Sequence, residues 1–194
     1  MLASPSLYWP LQSSPWFASE TSGQQPAVDL SGSFSSTTQD TPFVATNTLN
    51  FPASTNVAAT PRSSSYGSLT VSAWVRPTSD TGSPSFVSQS GGNDATNAFN
   101  LRMIASARVV QFYGSVSGPS TWSCLGTTPL TLSQWSHVVA TRNSSTGVVD
   151  LWINGVPDTC QSSSTPTGST VSTASSINIG TRADSPFTGQ IAQV

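Results

Sequence analysis

The sequence predicts an all-β fold in which two antiparallel sheets pack against each other as a jelly-roll sandwich. Apolar and polar residues alternate over many short stretches, and no stretch of helical length shows the 3.6-residue apolar period of a helix. Turn-forming Gly, Pro and Ser recur every few positions. About a dozen short strands with turns roughly every 8–12 residues are typical of a sandwich or jelly roll, and not of alternating strands and helices.

The composition favours a globular protein and argues against two classes of partner. Only 7% of the 194 residues are charged and the net charge is −2, yet six Trp, eight Phe and three Tyr are present to fill a core. Disordered chains instead combine low hydrophobicity with a high net charge. The six cationic residues are scattered arginines, so no basic stripe for nucleic acid is expected. No apolar run approaches the roughly 18–20 residues of a membrane span.

Three strands are predicted from particularly clear alternation. The first covers residues 69–75 and is ended by Pro77, the second covers 136–142, and the third covers 148–154. The third runs into Asn154-Gly155, the dipeptide that a two-residue type I′ hairpin turn favours because both of its positions need positive φ. Weaker alternation predicts further strands at residues 8–11, 48–51, 85–89, 98–104, 109–113, 122–127, 176–179 and 190–194.

The chain has two cysteines, Cys124 and Cys160, and both lie beside segments predicted as strands of one β domain. A disulfide between them is therefore predicted. Closing that loop would stabilise the fold by about 4 kcal/mol on the chain-entropy estimate. The alternative is a pair of buried free thiols, which behave as small apolar side chains.

Five segments along the chain carry strand motifs with a recognisable order. They are SLTVSAWVRP (residues 68–77), LSQWSHVVAT (132–141), VDLWING (149–155), SINIG (176–180) and FTGQI (187–191). In that order they resemble the strands of laminin-G-like, concanavalin A-like lectin/glucanase jelly rolls. The resemblance implies one concanavalin-like jelly-roll domain over residues 1–194. Relatives continue their last strand beyond the equivalent of Val194, so the last strand is expected to be incomplete, with a longer chain or a neighbour covering the sheet edge.

Many of these relatives hold a structural calcium ion through acidic side chains. The corresponding positions here are Ala192-Gln193 and Pro52-Ala53, which lack the carboxylate oxygens that a hard cation prefers. Calcium at that site is therefore not expected, and no other cofactor is implied. Asp94, Asp158 and Asp184 lie in predicted loops and are an alternative set of cation ligands.

The resemblance also includes glycosidases, but their chemistry needs a pair of carboxylates. This chain has one glutamate, Glu20, and no two acids at alternating positions of a strand. A Ser or Cys nucleophile would depend on the single histidine, His137, which enters a predicted strand and is expected to be structural. We therefore expect a protein that is not an enzyme and has no catalytic residues.

Trp74 and Trp152 lie on the strand faces opposite to the aliphatic residues of their strands. If those faces are exposed, both rings are suited to stacking on sugars or on a protein partner. The alternative is that they fill a second buried layer, and both alternatives also apply to Trp122 and Tyr113. Polar residues in predicted rim loops are further candidates for ligand binding, and they are Asn93, Asp94, Asn97 and Asp184.

Two functions follow as expectations. The first is a non-catalytic, lectin-like binding or adhesion module of an extracellular or cell-surface protein, which recognises a glycan or a surface protein. The second is a structural component of a virion, since Met1–Glu20 lacks the basic start and apolar stretch of a signal peptide. A homo-oligomer or larger assembly suits the second function. Asn143-Ser144-Ser145 is an N-glycosylation acceptor pattern on a predicted hairpin tip, relevant to a protein secreted by a eukaryote.

Overall fold

The computed structural model describes residues 17–18, 28–32, 35–37, 48–52, 57–61, 65–90, 97–116, 120–171, 176–181 and 186–194. None of these residues is helical, and they contain sixteen strands. The strands are β1 (Phe17–Ala18), β2 (Val28–Gly32), β3 (Ser35–Thr37), β4 (Thr48–Phe51), β5 (Val57–Pro61), β6 (Leu69–Pro77), β7 (Ser85–Ser90), β8 (Asn97–Met103), β9 (Val109–Ser115), β10 (Thr121–Pro129), β11 (Ser136–Arg142), β12 (Val149–Ile153), β13 (Val156–Asp158), β14 (Ser162–Ser164), β15 (Ser176–Ile179) and β16 (Gly189–Ala192).

These strands form two antiparallel sheets. One sheet has nine strands in the order β1-β2-β5-β15-β7-β8-β9-β10-β14, and the other has seven in the order β13-β12-β11-β6-β16-β4-β3. A single apolar cluster takes side chains from both sheets, so the sheets enclose one core between them. The predicted all-β sandwich of two antiparallel sheets is confirmed.

Strand β6 shows how the alternating sequence places its side chains. Val71, Ala73 and Val75 are 8%, 0% and 0% exposed and face the core, whereas Trp74 and Arg76 are half-buried on the other side of the sheet. Successive side chains of a strand point to opposite faces, so one apolar residue in two is enough to cover the core. The neighbouring strand β11 follows the same pattern.

The turn between β12 and β13 has the conformation that its sequence predicts. Asn154 has φ 53° and Gly155 has φ 79°, the positive values that a type I′ turn requires at both central positions. The turn places Ile153 opposite Val156 and so starts the pairing that makes β13 the edge of the seven-stranded sheet.

Aromatic rings fill the space between the sheets. Phe187 contacts Phe86 and Phe51 edge-on, with ring centroids 5.5 Å and 6.0 Å apart. Trp122 is 0% exposed and meets Phe112 edge-on at 4.8 Å. Trp122 is therefore a core residue, which decides the question that the sequence left open for it.

The two sheets are linked at one edge by a covalent bond and by a buried carboxylate. Cys124 in β10 and Cys160 after β13 form a disulfide with their Cα atoms 5.2 Å apart, so the predicted pairing is confirmed. Close by, Oδ1 of Asp158 in β13 accepts hydrogen bonds from the backbone N–H and the hydroxyl of both Thr127 and Thr128, at 2.8–3.1 Å. Both contacts join the edge of the seven-stranded sheet to β10 of the other sheet.

The structure differs from the strand predictions in several places. Residues 162–164 were not predicted as a strand, but they pair with β10 as β14 through the backbone, with no apolar alternation to reveal them. Strands β1, β2, β3 and β5 were not predicted either. The last strand ends at Ala192 instead of continuing to Val194. The strand predicted at residues 8–11 lies outside the described residues.

Candidate functional site

The outer face of the seven-stranded sheet carries a patch that we call the aromatic face, which consists of Trp74, His137, Val139 and Trp152. In the antiparallel register His137 pairs with Trp74, and Val139 pairs with Trp152. All four side chains alternate with core residues and are half-buried, so part of each side chain is accessible from outside. Strand spacing and rise place the backbones of the two tryptophans roughly 12 Å apart, with β11 between them.

Trp74 and His137 are in direct contact on this face. Their rings stack with centroids 4.9 Å apart and planes inclined by 21°. The backbone N–H of His137 donates to Oδ1 of Asn154 at 2.8 Å, and the backbone N–H of Asn154 donates to the His137 carbonyl at 2.8 Å. Burial lowers the pKa of His137 from its usual 6.5, because removal from water disfavours the imidazolium. The ring is therefore neutral near pH 7 and extends the flat surface of Trp74.

The outer face of the nine-stranded sheet has a different chemistry. Register across five neighbouring strands aligns Asn178, Ser88, Asn100, Tyr113 and Ser123, which we call the polar row. Its centre is tightly packed, since Ser88, Asn100 and Tyr113 are at most 5% exposed. Nδ2 of Asn100 donates to the Tyr113 hydroxyl at 3.1 Å, and Ser88 Oγ donates to the Thr181 carbonyl at 3.1 Å.

An arginine lies next to the polar row and contacts two of its neighbours. The guanidinium carbon of Arg102 lies 4.5 Å from the centroid of the Tyr113 ring. Nε of Arg102 donates to Oε1 of Gln111 at 2.8 Å, and Nε2 of Gln111 donates to Ser123 Oγ at 2.9 Å. This cluster could not be predicted from the sequence, because its members are separate along the chain and only the register of β8, β9 and β10 brings them together.

Of the four rim candidates from the sequence, only Asn97 lies in the described residues. Asn97 is 0% exposed, and its Oδ1 accepts a hydrogen bond from Ser90 Oγ across the start of β8, a position that favours a structural role. Asn143 is exposed on the β11–β12 hairpin, and its Oδ1 accepts hydrogen bonds from the backbone N–H groups of Ser145 and Thr146. The other three rim candidates, Asn93, Asp94 and Asp184, lie outside the described residues.

The residues at the positions where relatives hold calcium do not fit a hard cation. Ala192 is 1% exposed and has no oxygen in its side chain, and Pro52 offers only its backbone carbonyl. Asp158 directs its carboxylate to two threonines of β10. Among the described residues, no three His, Cys, Asp or Glu side chains are grouped closely enough to hold a metal ion. In the same part of the chain, no helix has the length and apolar character to cross a membrane.

The fold is shared with solved structures of low sequence identity. Domain 4 of AbnA, a GH43 extracellular arabinanase from Geobacillus stearothermophilus solved with arabinotriose, matches 97% of this chain and 89% of its own with a TM-score of 0.71 and 14% identity. The Ruminococcus gnavus IT-sialidase CBM40 matches 71% of this chain and 86% of its own, with a TM-score of 0.52 and 15% identity.

A third similar structure is a piece of a larger molecule. The binding domain of Paraclostridial Mosquitocidal Protein 1 matches 97% of this chain but only 47% of its own chain, with a TM-score of 0.65 and 13% identity. A search of curated protein sequences found no significant match.

A family model identifies the chain more directly than these structures do. The model is the laminin-G type described as the concanavalin A-like lectin/glucanases superfamily, and it matches residues 51–194, most of the 194-residue sequence. This range includes all five segments on which the resemblance was based. The chain belongs to the concanavalin A-like lectin/glucanase superfamily.

Proposed function

We propose that this domain is a non-catalytic, lectin-like module that binds a glycan through the aromatic face. The observation that supports this most directly is the position of Trp74 and Trp152. Both extend from the same outer sheet face, both are half-buried, and both present part of a large flat ring to the outside. Exposed indole rings beside an apolar side chain offer the surface on which the C–H face of a sugar ring stacks.

The intervening residues make the aromatic face continuous. Val139 lies opposite Trp152 on the neighbouring strand, and His137 covers one side of the Trp74 ring. Because the backbones of these residues are fixed by the sheet ladder, the rings need little reorganisation when a ligand binds. A rigid sheet surface of this kind suits recognition of an extended saccharide.

The similar structures support binding rather than catalysis. The arabinanase domain was solved with arabinotriose, and the CBM40 domain was solved with α2,3 sialyllactose. The Cys124–Cys160 disulfide suits an oxidising compartment, which supports an extracellular or cell-surface location. No contact in the described residues favours the virion building block, which is left as an outcome of the test below.

Glycan-array and calorimetric binding test the proposal. We expect the purified domain to bind oligosaccharides, and Trp74→Ala and Trp152→Ala each to lower the affinity by about tenfold or more. Trp74→Phe and Trp152→Phe keep an aromatic ring and should retain most of the affinity. Val148→Ala is the matched control, since Val148 is an apolar residue that is 45% exposed and lies outside the aromatic face.

The proposal fails if no glycan binds, or if both alanine variants bind as well as the original domain while remaining folded by thermal melting. If the domain binds no glycan and sediments as a large assembly, the result would favour a structural component of a virion. If the domain instead binds a protein partner, and both alanine variants abolish that binding, the aromatic face is the binding site but its ligand is a protein and not a glycan.

A further inference from the structure

The hairpin between β11 and β12 presents an exposed asparagine whose amide nitrogen takes no part in the fold. Asn143 and Ser145 are both exposed at its tip. Oδ1 of Asn143 accepts hydrogen bonds from the backbone N–H groups of Ser145 at 2.9 Å and Thr146 at 3.2 Å, which is an Asx turn. Nδ2 of Asn143 donates to no group in the described part of the chain. The oxygen of the amide is therefore held in place, while its nitrogen faces no competing acceptor.

The backbone of the loop keeps this asparagine at the surface. The N–H of Asn143 donates to the Val148 carbonyl at 2.9 Å, and the N–H of Gly147 donates to the Asn143 carbonyl at 2.8 Å. Gly147 has φ 75°, and a Cβ there would collide with the backbone of a neighbouring segment, so the turn requires glycine. Ser144 ties the loop to the residue before β6, because its N–H donates to Ser68 Oγ at 3.0 Å. The exposure of Asn143 is thus a fixed property of the hairpin.

The same asparagine has the sequence pattern of a glycan acceptor. An acceptor asparagine is followed two positions later by Ser or Thr, with any residue except Pro between them. The chain has nine asparagines, and Asn143, followed by Ser144-Ser145, is the one that meets this condition. A glycan is bulky and strongly hydrated, so a folded domain can carry it only at the surface. Pattern and exposure coincide at this hairpin.

We propose that Asn143 is an N-glycosylation site of this domain, used when the chain passes through a eukaryotic secretory compartment. The donor is a lipid-linked oligosaccharide diphosphate. A bond forms between Nδ2 and the anomeric carbon of the oligosaccharide, and the bond from that carbon to the diphosphate oxygen breaks. Nδ2 loses one proton, and the diphosphate leaves with the electron pair.

The glycosylated amide keeps its carbonyl oxygen. Both hydrogen bonds that Oδ1 of Asn143 accepts from the backbone of Ser145 and Thr146 are therefore retained after the transfer. Because Nδ2 donates to nothing in the described residues, the modification breaks no hydrogen bond of the turn. We expect the folded domain to carry the glycan without loss of stability.

This inference does not rest on the aromatic face. Asn143 lies four residues from Val139 along the chain of β11, which at the rise of a strand is roughly 14 Å. It also lies at the end of β11 that is opposite to His137. The Cys124–Cys160 disulfide suits the same oxidising compartment in which this glycan is added.

Mass spectrometry of the domain secreted from a eukaryotic cell line, with a secretion signal fused to it, tests the proposal. Peptide:N-glycosidase in heavy-oxygen water removes an N-linked glycan and converts its asparagine to a labelled aspartate. We expect the intact mass to fall to that of the polypeptide on this treatment. The label should appear at Asn143.

Variants of the hairpin identify the acceptor. Asn143→Gln and Ser145→Ala should each abolish the modification. Ser145→Ala keeps the backbone N–H that binds Asn143 Oδ1, so the turn is retained while the acceptor pattern is lost. Ser145→Thr should preserve the modification. Ser144→Ala is the matched control, because it removes a serine of the same turn, leaves the acceptor pattern complete and should leave the glycan in place.

The proposal is overturned if the secreted, folded domain has the mass of the unmodified polypeptide, or if the glycan persists in Ser145→Ala. Thermal melting of the glycosylated and enzyme-treated domains should coincide. A lower melting temperature of the glycosylated form would contradict the finding that Nδ2 is unused by the fold. These results are independent of whether Trp74→Ala or Trp152→Ala alters oligosaccharide binding.

Discussion

Trp74 on β6 and His137 on β11 stack nearly face to face, with their ring centroids 4.9 Å apart on the outer surface of the seven-stranded sheet. The pair forms because the antiparallel register places the two residues directly opposite each other, where side chains are closest. It also withdraws the imidazole from water. A residue that sequence alone suggested as a structural histidine is thereby part of the proposed ligand-binding surface.

The first prediction concerns the protonation of His137, the single histidine of the chain. Burial lowers its pKa below 6.5 in the folded state, whereas the unfolded chain binds a proton near the usual value. Below pH 6.5 the unfolded state therefore binds more protons than the folded state. The free energy of unfolding should be at its highest above that pH and should decrease as the pH falls below it. An NMR titration of the imidazole resonances measures the pKa directly.

His137→Gln is the control for this prediction, since it should remove the part of the pH dependence that falls between 6.5 and the folded pKa. A measured pKa at or above 6.5 would contradict the account. It would show that attraction between the imidazolium and the Trp74 ring outweighs the loss of hydration.

The second prediction concerns the disulfide between Cys124 and Cys160, which closes a loop with a sequence separation of 36 residues. Replacing both cysteines by alanine should lower the free energy of unfolding by about 4 kcal/mol, because the unfolded chain regains the freedom that the cross-link removed. For a domain of this size the melting temperature should fall by roughly 8–16 °C. Equal melting curves with and without a reductant would show that the cross-link contributes nothing.

The third prediction concerns the carboxylate that joins β13 to β10. Asp158 accepts four hydrogen bonds through Oδ1 from Thr127 and Thr128, so Asp158→Ala should lower the free energy of unfolding by at least about 2 kcal/mol. Asp150→Ala is the control, because Asp150 is exposed on the neighbouring strand and its loss should change stability by no more than about 0.5 kcal/mol. Urea denaturation of the two variants makes the comparison, and equal effects would refute the role of Asp158.

The fourth prediction concerns a cation inside the sandwich. Arg142 is 1% exposed and lies 5.2 Å from the centroid of Trp122, and its Nη2 donates to the Pro166 carbonyl while Nε and Nη1 have no partner. Burial lowers the pKa of Arg142, which reflects the cost of keeping this charge out of water. Arg142→Met keeps the length of the side chain and should leave stability unchanged or raise it.

Arg142→Ala should instead lower the free energy of unfolding by about 2 kcal/mol or more, since it leaves a cavity beside Trp122. Chemical denaturation of both variants separates the charge from the packing. If Arg142→Met is as destabilising as Arg142→Ala, the guanidinium is a net stabilising group and its stacking on Trp122 outweighs its desolvation.

Local alternation was enough to predict the strands that pack on the core. In β6, aliphatic residues occupy one parity, so the sequence alone shows that Trp74 faces away from them. In β10, Trp122 and Cys124 share a parity with Gly126, while Leu125 lies on the other, so neither face is uniformly apolar. The sequence therefore could not decide whether Trp122 was exposed, and the structure shows that it is buried.

The side-chain clusters on the outer sheet faces could not be predicted from the sequence of any single strand. The pairing of Trp74 with His137 needs the register of β6 against β11, and the cluster around Arg102 needs that of β8 against β9. Register is set by the whole sheet and its turns, and a shift of one residue moves every side chain to the opposite face. Edge strands such as β14 are held by backbone bonds to a neighbour, so their own sequence gives no signal.

The most direct measurement of the central claim is an NMR titration of the tryptophan indole N–H signals with an oligosaccharide. The account predicts that the signals of Trp74 and Trp152 shift and saturate together, while that of Trp122, which is 0% exposed in the core, stays in place. Assignment follows from single Trp→Phe variants. Saturating oligosaccharide that leaves the Trp74 and Trp152 signals unmoved would contradict the account.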